Sequence, residues 1–161
     1  MDALELAVKM EKDAIAFYTD AARKTKFPVG RKMFASVTED EKRHLDMILQ
    51  IIKGLQVTHK DVSPMKNVKT VFESMKDEMM TKVAATADEL EAFKIAMHME
   101  KEGRDFYEKT LAKASTDKEK ALLRRLIQEE EQHYNIFANT YQFLSDTGNW
   151  FLWDERGIVE G

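Results

Sequence analysis

The chain predicts an all-α fold: an antiparallel four-helix bundle with one long crossover between helices 2 and 3, built from two duplicated helical hairpins. Three observations carry this. The 161 residues are 43% hydrophobic and 34% charged, with only six Gly and two Pro, a composition that suits one mostly helical domain. Apolar residues recur at helical spacing in four long segments. The first half also returns in the second at a fixed offset: Glu41-x-x-His44 and Glu130-x-x-His133 lie 89 residues apart, as do Glu11 and Glu100.

Helix 1, about 2–25, places Leu4, Val8, Ile15 and Tyr18 on one stripe. Helix 2, about 31–55, does so with Phe34, Val37, Ile48 and Leu55. Helix 3, about 88–114, uses Phe93, Met97, Tyr107 and Leu111, and helix 4, about 117–145, uses Leu122, Leu126, Phe137, Tyr141 and Leu144. Phe27-Pro28-Val29-Gly30 breaks the first hairpin, and Ser115-Thr116-Asp117 supplies cap residues for helix 4. Both breaks are short, so helices 1 and 2, and helices 3 and 4, are expected as antiparallel neighbours. The bundle is expected over 1–145. Its crossover, 56–87, has room for a brief amphipathic helix through Val68, Val71, Phe72 and Met75. A connection this long can travel the length of the bundle, which suggests that helix 3 starts where helix 1 started. Residues 146–161 form a tail whose Trp150, Phe151 and Trp153 are expected to pack on the bundle or a partner subunit.

The repeat reaches beyond the motifs. Residues 3–24 align with 92–113 without a gap, and eight of the 22 pairs are identical, among them Met10-Glu11-Lys12 with Met99-Glu100-Lys101 and Phe17-Tyr18 with Phe106-Tyr107. The register holds through the interhelix turn to the second motif. This implies a pseudo-twofold axis between the hairpins, with any central site near it.

Charge and composition exclude several classes. Net charge is −4 and the pI about 5.6, with Lys and Arg scattered among acids. No basic patch could track a phosphate backbone, so no nucleic-acid partner is expected. Cysteine is absent, which removes disulfides, thiolate chemistry and Cys-ligated iron centres. The start has no basic-then-apolar leader, and no apolar run approaches about 18 residues. The expectation is a soluble cytoplasmic protein without a membrane partner.

The chemistry lies in the repeat. Glu11 falls between Val8 and Ile15 on the apolar stripe. Glu41 and His44 fall between Val37 and Ile48, and Glu130 and His133 between Leu126 and Phe137. A carboxylate turned into an apolar bundle costs several kcal/mol, and four converging carboxylates repel one another. Either several hold protons at strongly raised pKa values or cations neutralise them. Two divalent metals balance four carboxylates, and each His offers one nitrogen. Positions i and i+3 lie about 60° apart around a helix and about 4.5 Å along it, so Glu and His at that spacing reach the same or adjacent ions. Oxygen and nitrogen ligands without sulfur favour iron or manganese, with zinc a possible substitute. The Glu of helices 1 and 3 could then be terminal or bridging.

One Glu from each of two helices and Glu-x-x-His from the other two is the pattern of ferritin-like dinuclear bundles. Over about residues 1–145 this chain resembles a rubrerythrin-type ferritin-like di-iron protein. The resemblance implies that Glu11, Glu41, His44, Glu100, Glu130 and His133 are the metal ligands. It also implies that Tyr18 and Tyr107, seven residues past Glu11 and Glu100, hydrogen-bond ligand carboxylates. Two departures are visible. Rubrerythrins usually carry a further Glu three residues after the helix-3 ligand, where this chain has Gly103. Its helix-1 counterpart is Ala14, so the site is more symmetric, as in bacterioferritin. The Cys-ligated rubredoxin module is missing too, so the likeness is to the short, rubredoxin-less form and a separate electron-donor protein is implied.

The expected function is a peroxidase-like oxidoreductase with two Fe ions, reducing hydrogen peroxide or dioxygen in oxidative-stress defence, as a homodimer. Ala14 and Gly103 could leave room for peroxide beside the metals. Three rivals stay open: ferroxidase activity coupled to iron storage, a manganese catalase-like activity, and a metal-free helical adaptor. Other features read as bland. His98 and His59 are expected at the surface. Glu39, Asp40, Glu129 and Glu131 read as solvated charge, and the ten Met as bundle filler. Arg104, in the place of Ile15 on the inner stripe, either snorkels outward or pairs with a site carboxylate.

Overall fold

The structure, a computed structural model, describes residues 3–54 and 87–145. Four helices make up this part: α1 (Ala3–Lys24), α2 (Pro28–Ile52), α3 (Ala87–Lys113) and α4 (Asp117–Ser145). They form the expected bundle, α1 packing along α2 and α3 along α4, with α1 also beside α3 and α2 beside α4. The crossover before α3, the aromatic tail, Leu55 and His59 lie outside the described residues. Among the described residues no helix is long and apolar enough to cross a membrane.

Local chemistry sets the boundaries. Pro28 opens α2 at its first turn, where its missing N–H costs nothing and its fixed φ suits the helix. No side chain of the preceding turn caps that helix. The carboxylate of Glu89, on α3, instead holds the turn just ahead of the helix, accepting the backbone N–H groups of Lys26 at 2.6 Å and Phe27 at 3.3 Å. At the other end the Gly54 N–H bonds the Ile51 carbonyl, with φ at +72°, a left-handed conformation that glycine adopts without a Cβ penalty. Thr116 caps α4 by accepting the Glu119 N–H.

The Glu89 contact corrects one expectation. The start of α3 lies beside the end of α1, not beside its start, so α1 and α3 run antiparallel.

The inward face of α1 also differs. Its buried line is Ala7, Glu11, Ala14, Tyr18 and Ala21; Leu4, Val8 and Ile15 flank it, half-buried. Small alanines let the helix approach its neighbours closely, while the larger residues cover the seams. Two apolar layers follow, one on each side of the charged middle. Toward the α1–α2 turn, Tyr18, Phe34, Phe93 and Phe137 pack with Val37 and Ala96, their contacting ring centroids 4.9 to 6.1 Å apart, spacings typical of favourable aromatic pairs. Toward the other end, Met47, Ile48, Leu122, Leu123 and Leu126 pack around Tyr107. Each layer keeps water from one side of the site.

Candidate metal centre

The duplicated residues meet in that middle. Glu11, Glu41, His44, Glu100, Glu130 and His133 are each no more than 4% exposed. They make two groups of potential ligands: Glu11, Glu41, His44 and Glu130 in one, Glu41, Glu100, Glu130 and His133 in the other. Within each group the donor atoms lie within 4.8 Å of one another. Glu41 and Glu130 belong to both groups. The Glu of the Glu-x-x-His motifs thus stand between the two groups, and Glu11 and Glu100 belong to one group each.

Each imidazole is aimed by a carboxylate from the opposite hairpin. His44 Nε2 is 2.7 Å from Glu129 Oε1, and His133 Nε2 is 2.9 Å from Asp40 Oδ2. An ionised carboxylate only accepts, so each Nε2 carries the donated proton and Nδ1 is the nitrogen that faces the cluster. His44 Nδ1 lies 3.0 Å from Glu41 and 3.5 Å from Glu130; His133 Nδ1 lies 3.3 Å from Glu41 and 3.5 Å from Glu100. The two rings are 6.0 Å apart, centre to centre.

Asp40 and Glu129 are therefore not solvated charge. They are 2% and 3% exposed, and only Glu39 and Glu131 of that group are exposed. The missed signal was in the repeat: both are acidic, both precede the motif Glu by one residue, and they are 89 apart. Arg43 ties them together. Its guanidinium reaches Glu129 at 2.7 Å and Asp40 at 3.2 Å, and Arg125 adds a contact to Glu129 at 2.8 Å. Arg104 is not part of the site; its ion pair is with Asp105, 3.3 Å away.

Tyr18 donates to Glu100 Oε1 at 2.7 Å and Tyr107 to Glu11 Oε1 at 2.5 Å. Each tyrosine thus holds the flanking carboxylate of the other half. Burial, then the neighbouring site carboxylates, push both phenols well above their ordinary range, so they remain donors throughout neutral pH.

The ionisation pattern is that of crowded carboxylates sharing protons. Burial raises Glu11, Glu100 and Glu130, and ionised neighbours raise them further. Burial also opposes charge on Glu41, but hydrogen bonding from Glu11 and the His44 charge outweigh it and hold this carboxylate well below the usual range. The imidazoles resist burial in the same way. The Glu41 charge raises His44 and the Glu100 charge raises His133, with Glu129 and Asp40 adding to the effect. Hydrogen bonds and charge from His44 and Arg43 depress Glu129 despite its burial.

Several donor atoms remain for a cation. Among the described residues, Glu11 Oε2, Glu41 Oε1, Glu100 Oε2 and His133 Nδ1 are buried without a hydrogen-bond partner, a costly condition. Carboxylate oxygens with one imidazole per group suit two divalent ions of the iron and manganese type, so the residues present fit a dinuclear centre.

An antiparallel helical bundle with this carboxylate–imidazole core defines a ferritin-like protein. The family model for rubrerythrin matches residues 2–141, nearly all of the bundle. The chain belongs to the rubrerythrin family, whose members typically hold two iron ions. No curated protein and no solved structure gave a significant match.

Proposed function

We propose that this chain is a di-iron carboxylate oxidoreductase that reduces hydrogen peroxide, or more slowly dioxygen, with electrons from a separate donor protein. The observation that carries the reading is the pair of ligand groups sharing Glu41 and Glu130. Two metals held side by side in this way supply the two electrons that an O–O bond takes up, one from each ferrous ion.

Glu11, Glu41, His44 and Glu130 would hold one ion, and Glu41, Glu100, Glu130 and His133 the other. The chain's own part is to orient and to exclude water. Asp40 and Glu129 fix the imidazoles with Nδ1 inward, and Tyr18 and Tyr107 fix the flanking carboxylates. The two apolar layers exclude water from the bundle axis. A cavity between α1 and α3, lined by Glu11, Glu100, Ala14 and Gly103 among others, gives a small oxidant a way in.

The test is metal analysis of protein purified without added metal, followed by peroxide titration of the ferrous form. Two irons per chain and rapid loss of the ferrous state on adding peroxide are expected, with Glu130→Ala losing both. Iron-loaded protein inert to peroxide would overturn the proposal. Ferric iron accumulating in a large cage would favour storage, and manganese with oxygen evolution a catalase.

A further inference from the structure

We infer that the substrate range extends to small organic hydroperoxides, admitted by an amphiphilic cavity that residues 14 and 103 hold open. This rests on the peroxide-reducing reading above and names a further substrate class for the same site.

The cavity has a volume of about 140 Å³. That is close to the roughly 150 Å³ of an enclosed cavity that accommodates a benzene-sized molecule in another protein, and well above the roughly 10–15 Å³ that one water needs. Hydrogen peroxide alone needs far less. The walls are Met10 and Ala14 from α1 and Met99 and Gly103 from α3, two pairs related by the 89-residue repeat. The floor is the cluster itself, Glu11, Glu41, Glu100 and Glu130. The rim carries Asp13 and Glu102, whose side chains are 60% and 65% exposed. The lining therefore grades from charged rim through apolar wall to polar floor. A short alkyl group on an O–O unit matches that order: the alkyl part meets sulfur and methyl groups while the peroxide reaches the floor.

Gly103 is the narrow point. A Cβ there would lie 3.2 Å from Glu130 Oε2 and 3.8 Å from Met10 Cε. One methyl group would already press on a site carboxylate, and a branched side chain would fill the space against Met10. Ala14 lines the same cavity from α1. The absence of larger side chains at both positions keeps the wall apolar and leaves the site carboxylates accessible.

The reaction balances as ROOH plus two ferrous ions and two protons giving ROH, water and two ferric ions. The O–O bond breaks, each ferrous ion gives one electron, and solvent at the rim supplies the protons. An external one-electron donor protein then returns the two electrons.

The experiment has two readouts. Ferrous protein is mixed with hydrogen peroxide, tert-butyl hydroperoxide and the bulkier cumene hydroperoxide. Separately, zinc-loaded protein, which is redox-inert, is titrated with tert-butanol and followed by methyl NMR. Oxidation by tert-butyl hydroperoxide within about tenfold of the hydrogen peroxide rate is expected, with cumene hydroperoxide slower. Saturable shifts at the Met10, Ala14 and Met99 methyls are expected from tert-butanol. Gly103→Leu should cut the ratio of tert-butyl to hydrogen peroxide rates at least about tenfold, as crowding a pocket commonly does, and should abolish the shifts. Ala14→Leu repeats the test from the other wall should Gly103→Leu not fold. Reaction with hydrogen peroxide but not tert-butyl hydroperoxide, with no methyl shifts, overturns this inference and leaves the peroxide reading standing. Iron-loaded protein that reacts with neither peroxide overturns both.

Discussion

Asp40 and Glu129 exchange partners across the bundle: Asp40 on α2 accepts from His133 on α4, and Glu129 on α4 accepts from His44 on α2. The exchange stitches the two hairpins together and aims both Nδ1 atoms at the shared cluster. Removing either carboxylate frees a ring that then satisfies its Nε2 elsewhere. Asp40→Ala and Glu129→Ala are each expected to weaken divalent-metal binding about 10- to 100-fold. Competition with a chelator of known affinity measures this, and unchanged affinity in both variants contradicts the orienting role.

The exchange is also unequal. Among the described residues Glu129 meets two guanidinium groups, from Arg43 and Arg125, whereas Asp40 meets that of Arg43 alone, and at greater distance. Positive charge beside Glu129 draws electron density from its bond to His44 and repels a cation nearby. Both effects weaken the His44 group relative to the His133 group, so two unequal metal-binding steps are expected. Arg125→Gln should bring them closer together, while Arg43 still holds Glu129 in place. Calorimetric titration with zinc reads the two steps; a single step in the wild type, or a wider gap in Arg125→Gln, contradicts the assignment.

Tyr18→Phe and Tyr107→Phe test the second exchange, in which each phenol serves the flanking carboxylate of the other half. Glu100 Oε2 and Glu11 Oε2 already have no hydrogen-bond partner among the described residues. Losing the phenol deprives each carboxyl group of a donor in a buried site, at a cost of about 1–3 kcal/mol. Urea unfolding of the metal-free variants should show losses of that size. A loss within about 0.5 kcal/mol, the range of ordinary surface changes, would mean that these bonds add nothing to the fold.

Protons and metals compete for the cluster, and the direction of the pH dependence follows. Glu11, Glu100 and Glu130 hold protons in the fold that an unfolded chain releases above about pH 4.3. His44 and His133 likewise keep protons that an unfolded chain loses near about pH 6.5. The stability the imidazoles lend is complete below that value and disappears as pH rises through their folded values. The depressed Glu41 and Glu129 act oppositely, but their contribution is complete above the ordinary carboxylate range and is lost only in acid. From about pH 5 to about pH 8 the metal-free fold therefore binds more protons than the unfolded chain and loses stability as pH rises. A divalent metal replaces those protons, so its stabilising effect should grow over the same interval. Melting temperatures at both ends, with and without zinc, check this; a metal-free melting temperature that climbs with pH contradicts it.

The four helices and the six clustered side chains were legible because one signal, the 89-residue repeat, fixed helix pairing and site together. What stayed hidden depended on contacts that a single helix cannot reveal. Asp40 and Glu129 sit about 100° around the helix from the motif Glu, a direction that means solvent on an isolated helix and means the facing hairpin in a bundle. The alanine line of α1 is hidden in the sequence because helical periodicity shows in large side chains, whereas close helix approach selects small ones. The direction of α3 depended on which end the crossover reaches, and the decisive contact, Glu89 to the α1–α2 turn, joins residues more than sixty positions apart. Arg43 and Arg125 carried no spacing signal, since their counterparts in the other half are Gln132 and Ser36.

That Glu89 contact supports a last prediction. The Lys26 and Phe27 N–H groups lie just ahead of α2, in a turn where no side chain caps the helix. Glu89 is 7% exposed and accepts both groups, so one carboxylate closes the turn of the first hairpin and pins the start of the second against it. A charged acceptor on backbone donors is stronger than a neutral one, and a carboxylate at the start of α3 also complements that helix's dipole. Glu89→Ala should cost about 1–3 kcal/mol by leaving one buried and one partly buried donor bare, and Glu89→Gln, which keeps a neutral acceptor, should recover part of it. Amide hydrogen exchange at Lys26 and Phe27 should quicken in Glu89→Ala more than exchange at the α3–α4 turn. Equal exchange at the two turns would show that the carboxylate does not hold this end of the bundle.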